Sequence, residues 1–358
     1  MMRDPDSYCD PVKDRLQTVK PVDLSRITTF DQLLTAYADA SFGARRVGEA
    51  ADVLEAMVRD QECFTVLTLS GAMTVAKMGL VIAEMVDRGY VDLIVSTGAL
   101  MTHGLVESFG RHHYKVPPQA DDAALYKAGL NRVYDTLEPE SNLDEAETLL
   151  RSVLESNHLP DPWATHHLTE AIGNHLVTHF PRERGPLIST ARQGVPVIIP
   201  AFTDSEMGLD VAVHRHRCRQ AGISSAAFDP FLDLEFVTDQ LRSAKRLGIL
   251  TIGGGVPRNY AQQVGPFVEV LAHRTDGTTV PPVRYQYGIR ICPDPAHLGG
   301  LSGCTYREGI SWGKFVPPEE GGRYAEIPAD ATIVWPLIVK AVMERMEREE
   351  HSHDPSCL

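Results

Sequence analysis

The chain contains no apolar run approaching the ~18 residues that a membrane-crossing helix needs. It does not open on a basic flank followed by an apolar stretch. Met1 to Pro11 is polar and acidic, so no signal peptide is expected and the cytoplasm is the expected compartment. No CxxC occurs. The six cysteines, Cys9, Cys63, Cys218, Cys292, Cys304 and Cys357, stand at irregular spacings, which argues against a disulfide framework or a zinc knuckle and fits reduced thiols. Lysine and arginine are short relative to aspartate and glutamate, giving a formal net charge of −14 with no basic patch, so no nucleic-acid partner is expected. HExxH is missing, which argues against a zinc protease, and a serine hydrolase is poorly supported. Among the 14 histidines, the pairs His112/His113, His166/His167 and His214/His216 stand out. Only the last spacing would suit a metal on a strand, and no metal is expected. There is no solenoid repeat and no low-complexity tract.

What is present is an ordinary globular composition, 43% apolar and 23% charged, over 358 residues. The acidic balance would attract a cationic substrate, or serve solubility alone. Residues 1–25 read as an irregular arm with Pro5, Pro11 and Pro21, residues 26–350 as one α/β domain, and residues 351–358 as a disordered tail. Thr29 to Asp60 has helical periodicity. Phe64 to Leu69 reads as a buried strand, Ser70-Gly71-Ala72 as a small-residue turn, and Thr74 to Asp87 as a helix. The unit recurs: strand 91–96, turn Thr97-Gly98-Ala99, helix 100–109; then strand 195–199 with Thr203-Asp204 beyond it; then strand 249–252, Gly253-Gly254-Gly255, and a helix from Asn259 to Leu271. Such units in series predict a Rossmann-like, mostly parallel sheet with helices on both faces. Residues 111–190 read as a helical flank, clearest over 143–154 and 163–175. Residues 331–350 read as a strand running into an amphipathic helix.

In open α/β sheets ligands gather at the carboxyl ends of the strands, where Gly71, Ala72, Thr97, Gly98, Ala99, Asp204, Gly253, Gly254 and Gly255 fall. Small residues there let a dinucleotide approach the backbone, and a helix N-terminus beyond them favours its pyrophosphate. The GxGxxG fingerprint is absent, so tight packing explains the same residues equally well. In Glu308-Gly-Ile-Ser-Trp312-Gly-Lys314, a lysine stands beside an indole with a carboxylate six residues earlier. A buried amine loses affinity for its proton and becomes competent for imine chemistry, and tryptophan offers a π face to a cation. On residue type alone, Lys314 reads more simply as a surface lysine lying over an aromatic ring.

Taken together and in order, these segments resemble the deoxyhypusine synthase family. The resemblance runs from about residue 64 to about residue 345. It rests on the SGAM turn at Ser70, VSTGA at 95–99, GLNR at 129–132, PAFTD at 200–204, GGGV at 253–256, SWGK at 311–314 and ADA at 329–331. It implies a homotetramer with NAD bound near dimer interfaces, a polyamine donor, and Lys314 as the residue that captures an aminobutyl group as an imine. Trp312 would wall the polyamine channel and Glu308 would anchor an amine. Thr97, Gly98, Ala99, Asp204, Gly254, Gly255, Asp330 and Ala331 would hold NAD, with Gly71, Ala72, Gly253 and Ser302 beside them.

The chain departs from the family pattern in four places. Thr102-His103 stand where protein-modifying members have two acids, which makes His103 a candidate base. Asn259 stands where they have a histidine. Gly299-Gly300-Leu301-Ser302 replaces an Asp-Gly-Ser-Asp-Ser segment. Leu209 stands where an aspartate ends the TDGSxGD pattern, with Asp210 one place on. The resemblance then implies aminobutyl transfer to a small amine such as putrescine, in the manner of a homospermidine synthase. The alternatives are modification of a protein lysine, a silent NAD- or polyamine-binding protein, and a plain dehydrogenase.

Overall fold

The structure is a computed structural model that describes residues 8–156, 159–275, 277 and 279–352. Two helices lead the domain, α1 (Phe30–Ala38) and α2 (Phe42–Arg59). Thr29 starts α1 by accepting the Gln32 N–H on its hydroxyl. The stretch read as one helix is broken at 39–41 because α2 folds back on α1: a Cβ at Gly48 would lie 2.3 Å from the Ala38 nitrogen. The chain continues through β1 (Cys63–Leu69), α3 (Gly79–Asp87), β2 (Leu93–Ser96), α4 (Gly98–Ser108), β3 (Tyr114–Lys115), α5 (Asp122–Lys127), β4 (Leu130–Val133) and β5 (Thr136–Pro139). Next come α6 (Glu140–Glu155), α7 (Thr165–His179), α8 (Pro186–Gln193), β6 (Val197–Ile198), α9 (Glu206–Gln220) and α10 (Phe231–Ser243). The last stretch is β7 (Arg246–Ile252), α11 (Gly255–Thr275), β8 (Tyr287–Ile291), α12 (Tyr306–Ser311), β9 (Arg323–Ile327) and α13 (Ala331–Ser352).

Six strands pair in the order β6-β2-β1-β7-β8-β9, every pair parallel. Renumbered within the sheet this is 3-2-1-4-5-6, the doubly wound dinucleotide-binding order, with its topological switch between β1 and β7. Strand residues alternate between two cores. Leu67, Leu69, Ile94, Leu250 and Ile252 face the core that includes Trp335 of α13, whereas Val66, Leu93, Val95, Leu247 and Ile249 face the one built with α10 and α11. Burial on both faces explains why these strands read as near-continuous apolar runs. Thr68 and Thr251, in register across the switch, join hydroxyls at 3.0 Å.

The α/β reading is confirmed, with corrections. Residues 331–350 contain no strand: the strand is β9, upstream, and Ala331 begins helix α13. The flank at 111–190 holds, besides helices α5 to α8, a three-stranded antiparallel sheet ordered β3-β5-β4. Residues 72–78 form turns rather than the first part of a helix, with Lys77 at φ +66°. Of the expected arm, residues 8–23 are irregular or turn, and 1–7 lie outside the described residues. Helix α13 continues to Ser352, and 353–358 of the expected tail likewise lie outside the described residues. Among the described residues no helix is long and apolar enough to cross a membrane.

Candidate active site

The switch point is sewn together by one hydroxyl. Ser70, at the end of β1, donates to the Ile252 carbonyl at 3.3 Å and accepts the Gly254 N–H at 2.8 Å. Gly253 sits at φ +77°, and a Cβ there would be 2.3 Å from the Ser70 Oγ. A Cβ on Gly254 would be 2.4 Å from the Ser302 Cα. Packing within the chain therefore requires both glycines. Gly255, at φ +64° with open space where a Cβ would point, heads α11. Gly71, at φ +77°, and Ala72 form the turn leaving β1.

One strand over, Thr97 precedes α4 with no side-chain cap bond, and Gly98 lets Ser205 approach: a Cβ there would be 2.2 Å from the Ser205 Oγ. Ala99 lies in the first turn of α4. Asp204 is exposed in the turn before α9. At the far end, Asp330 accepts the Thr332 N–H and hydroxyl at 2.8 and 2.9 Å, capping α13, while Ala331 joins the core. The structure thus strings the expected cofactor residues along the carboxyl edge of consecutive strands. An uncapped α4 N-terminus and the open Gly255 fit a dinucleotide, whereas Gly98, Gly253 and Gly254 are explained by packing.

The expected nucleophile, Lys314, lies on the β8–β9 side. Gly313, at φ +68°, turns the chain out of α12, and the Lys314 N–H then returns to the Gly309 carbonyl at 3.1 Å. The Lys314 carbonyl accepts from Tyr285, and Phe315 is buried against Tyr285 and Tyr306. The backbone is held on both sides of the Lys314 side chain. Its Nζ reaches Asn259 Oδ1 at 3.4 Å and lies 5.8 Å from the Trp312 ring centre. Trp312 is 63% exposed, and Glu308 is exposed on α12. Burial lowers the Lys314 pKa from its ordinary value and the Arg258 charge lowers it further, against opposing contributions from Cys304 and Glu308. Burial and a hydrogen bond with Glu308 raise that of the Cys304 thiol. Cys304 and Arg258 carried no sequence signal as members of this group.

His103 belongs to a different cluster. It meets Glu138 of β5, which also faces His113. Burial pushes the Glu138 carboxyl up, but the two imidazoles hold it down at about 2. His113 belonged to a pair visible in sequence; Glu138, buried on a short strand, gave no signal. His214 and His216 lie on helix α9 rather than on a strand, where side chains two apart point to different sides.

The sequence profile of the family described as Deoxyhypusine synthase matches residues 32–342. The chain belongs to the deoxyhypusine synthase family. It is 34% identical over 320 residues to "Probable deoxyhypusine synthase 1" of Methanosarcina mazei, covering 89% of this chain and 92% of that protein. It is 30% identical over 302 residues to the "Deoxyhypusine synthase-like protein" of Chlorobaculum parvum, covering 84% and 82%. A solved Entamoeba histolytica chain assigned as a deoxyhypusine synthase superposes with a TM-score of 0.57 at 14% identity, covering 91% of this chain and 97% of that one, and this likeness supports the fold. Deoxyhypusine synthases are transferases that move an aminobutyl group, and this chain is a member of that enzyme class.

Proposed function

We propose that the chain catalyses NAD-dependent aminobutyl transfer from a polyamine, through an imine on Lys314, to a lysine side chain of a partner protein. The observation that carries this reading is the state of Lys314. Its amine is half-buried beside an indole, its hydrogen-bond acceptor is the neutral amide of Asn259, and burial lowers its pKa, which raises the share of uncharged nucleophile. The named relatives support a protein acceptor over the small amine implied by the altered acids. That second reading keeps one observation in its favour: Leu209 and Leu301, at positions where protein-modifying members carry acids, are 61% and 48% exposed.

In this reading the turns at Ser70–Ala72, Thr97–Ala99 and Gly253–Gly255, with Asp204, Ser302, Asp330 and Ala331, hold NAD. When bound, NAD supplies removal of a hydride from the carbon beside an amine nitrogen and its later return. Glu308 anchors a substrate ammonium and Trp312 covers the chain between the nitrogens. Lys314 adds to the imine carbon, the departing amine leaves with the electrons of the broken C–N bond, and the four-carbon fragment stays on Nζ. Attack by the acceptor amine on that carbon releases Lys314. His103, on helix α4 against Glu138, takes no part in this chemistry. A cytoplasmic homotetramer with sites at dimer interfaces completes the reading.

The test is mass spectrometry after incubation with NAD, spermidine and borohydride, with and without an acceptor. One aminobutyl unit on Lys314, passed on to a protein lysine, supports the proposal. Transfer to putrescine alone selects the small-amine reading. Bound NAD without any adduct sinks both.

A further inference from the structure

We propose that His103, His113 and Glu138 form a binding site for a divalent transition-metal ion of the zinc class. The three residues come from separate elements: helix α4, the segment after it, and strand β5. Their donor atoms all lie within 4.8 Å of one another. The site is internal: the side chains of His113 and Glu138 are 0% and 1% exposed and that of His103 is 14% exposed. Two imidazoles and a carboxylate are a donor set that suits zinc and its neighbours.

The decisive feature is how these groups meet. His113 Nε2 stands 3.5 Å from Glu138 Oε1, close to the ~3.3 Å spacing of two ligands about a tetrahedral zinc ion. His103 Nδ1 lies against Glu138 Oε2. Yet none of these four buried atoms has a hydrogen bond of acceptable geometry. A buried carboxylate that lacks a well-aligned hydrogen bond is costly, and nearly all such groups are satisfied. An ion held among the three side chains would satisfy these atoms together. A tetrahedral set leaves a fourth position for water or for Glu206, whose Oε2 is buried without a partner and whose charge reaches His103.

Lys77 opposes the ion. Its ammonium lies 2.8 Å from His113 Nδ1 and also pairs with Glu107. An ammonium on Nδ1 places the imidazole proton on Nε2, the nitrogen that must ligate. A ligating histidine instead carries its proton on the far nitrogen. Loading therefore requires Lys77 to withdraw to Glu107, and the site is tuned by that lysine.

The experiment is a calorimetric titration of the chelator-stripped, full-length chain with ZnCl2, beside the absorption spectrum of the Co2+-loaded protein. The expected result is one equivalent of zinc per chain and the visible bands of a four-coordinate cobalt site. His113→Ala and Glu138→Gln, checked for fold by circular dichroism, should each weaken binding by at least roughly tenfold. Lys77→Met should strengthen it. Zinc uptake that is unchanged in both ligand variants overturns the proposal. So does a wild-type cobalt spectrum of octahedral, solvent-like form, which needs no variant to be folded. Neither readout depends on aminobutyl transfer.

Discussion

The amine of Lys314 reaches the side-chain oxygen of Asn259 at 3.4 Å, across 55 residues of sequence, from the β8–β9 connection to the β7–β8 crossover helix. Asn259 lies in the first part of α11, so the nucleophile is tied to the same helix that the glycine turn begins.

Asn259→Ala should lower the rate of imine trapping on Lys314 about fivefold, the worth of one ordinary hydrogen bond of about 1 kcal/mol. Lys314→Ala should abolish the adduct. Because the Lys314 pKa is lowered, trapping in the wild type should climb with pH and level off below the 10.5 of a free lysine. Borohydride trapping across a pH series reads all three, and a wild-type profile centred on the free-lysine value would contradict the burial argument.

Gly254→Ala places a methyl group 2.4 Å from the Ser302 Cα, where backbone must move. A loss of about 1–3 kcal/mol in stability is expected, as for other overpacked sites. Weaker NAD binding should accompany it, because the displaced segment borders the switch point. Urea unfolding with and without NAD separates the two effects.

Asp210 has its pKa raised to about 6, first by burial and then by Glu147 and Glu206. A carboxyl whose folded pKa lies above its unfolded 3.8 contributes stability at low pH that is lost as pH rises through about 6. Asp210→Asn should therefore stabilise the chain by about 1 kcal/mol at pH 7.5, discounted for partial exposure, and leave it unchanged near pH 3.5. Melting temperatures at the two pH values check this.

Arg345 of α13 is 6% exposed and binds Asp31 at 2.6 Å, Asp52 at 2.8 Å and Glu55 at 2.7 Å, clamping α13 to α1 and α2. Arg345→Ala leaves the buried Asp31 with Arg348 alone. A cost of about 3 kcal/mol is expected from a buried carboxylate that loses one of its two cationic partners. Trapping on Lys314 in the surviving folded fraction should be unaffected.

Local pattern was enough for β1, β2 and β7, because strands buried on both faces must be apolar almost throughout. It was not enough for β8 and β9. Tyr287–Ile291 and Arg323–Ile327 each carry a charge in mid-strand, and these charges, Arg290 and Glu326, stand in register and pair at 2.7 Å. Each charge hides its strand when read alone, and only the pairing removes the penalty of burying it. The small-residue turns were visible for a similar local reason. Their cause was not, because the atoms that exclude a Cβ at Gly98, Gly253 and Gly254 belong to Ser205, Ser70 and Ser302.

By itself, the sequence determined the α/β class, the family and the loop that presents Lys314, since each depends on residues adjacent in the chain. The tertiary structure alone decided which groups share a pocket. It set Asn259 against Lys314, and it separated His103 from the lysine to join it with His113 and Glu138. The physical reason is that side chains far apart in sequence meet only after the parallel sheet has ordered its crossovers and the β3-β5-β4 sheet has brought Glu138 against α4. No property of a single residue encodes its partner.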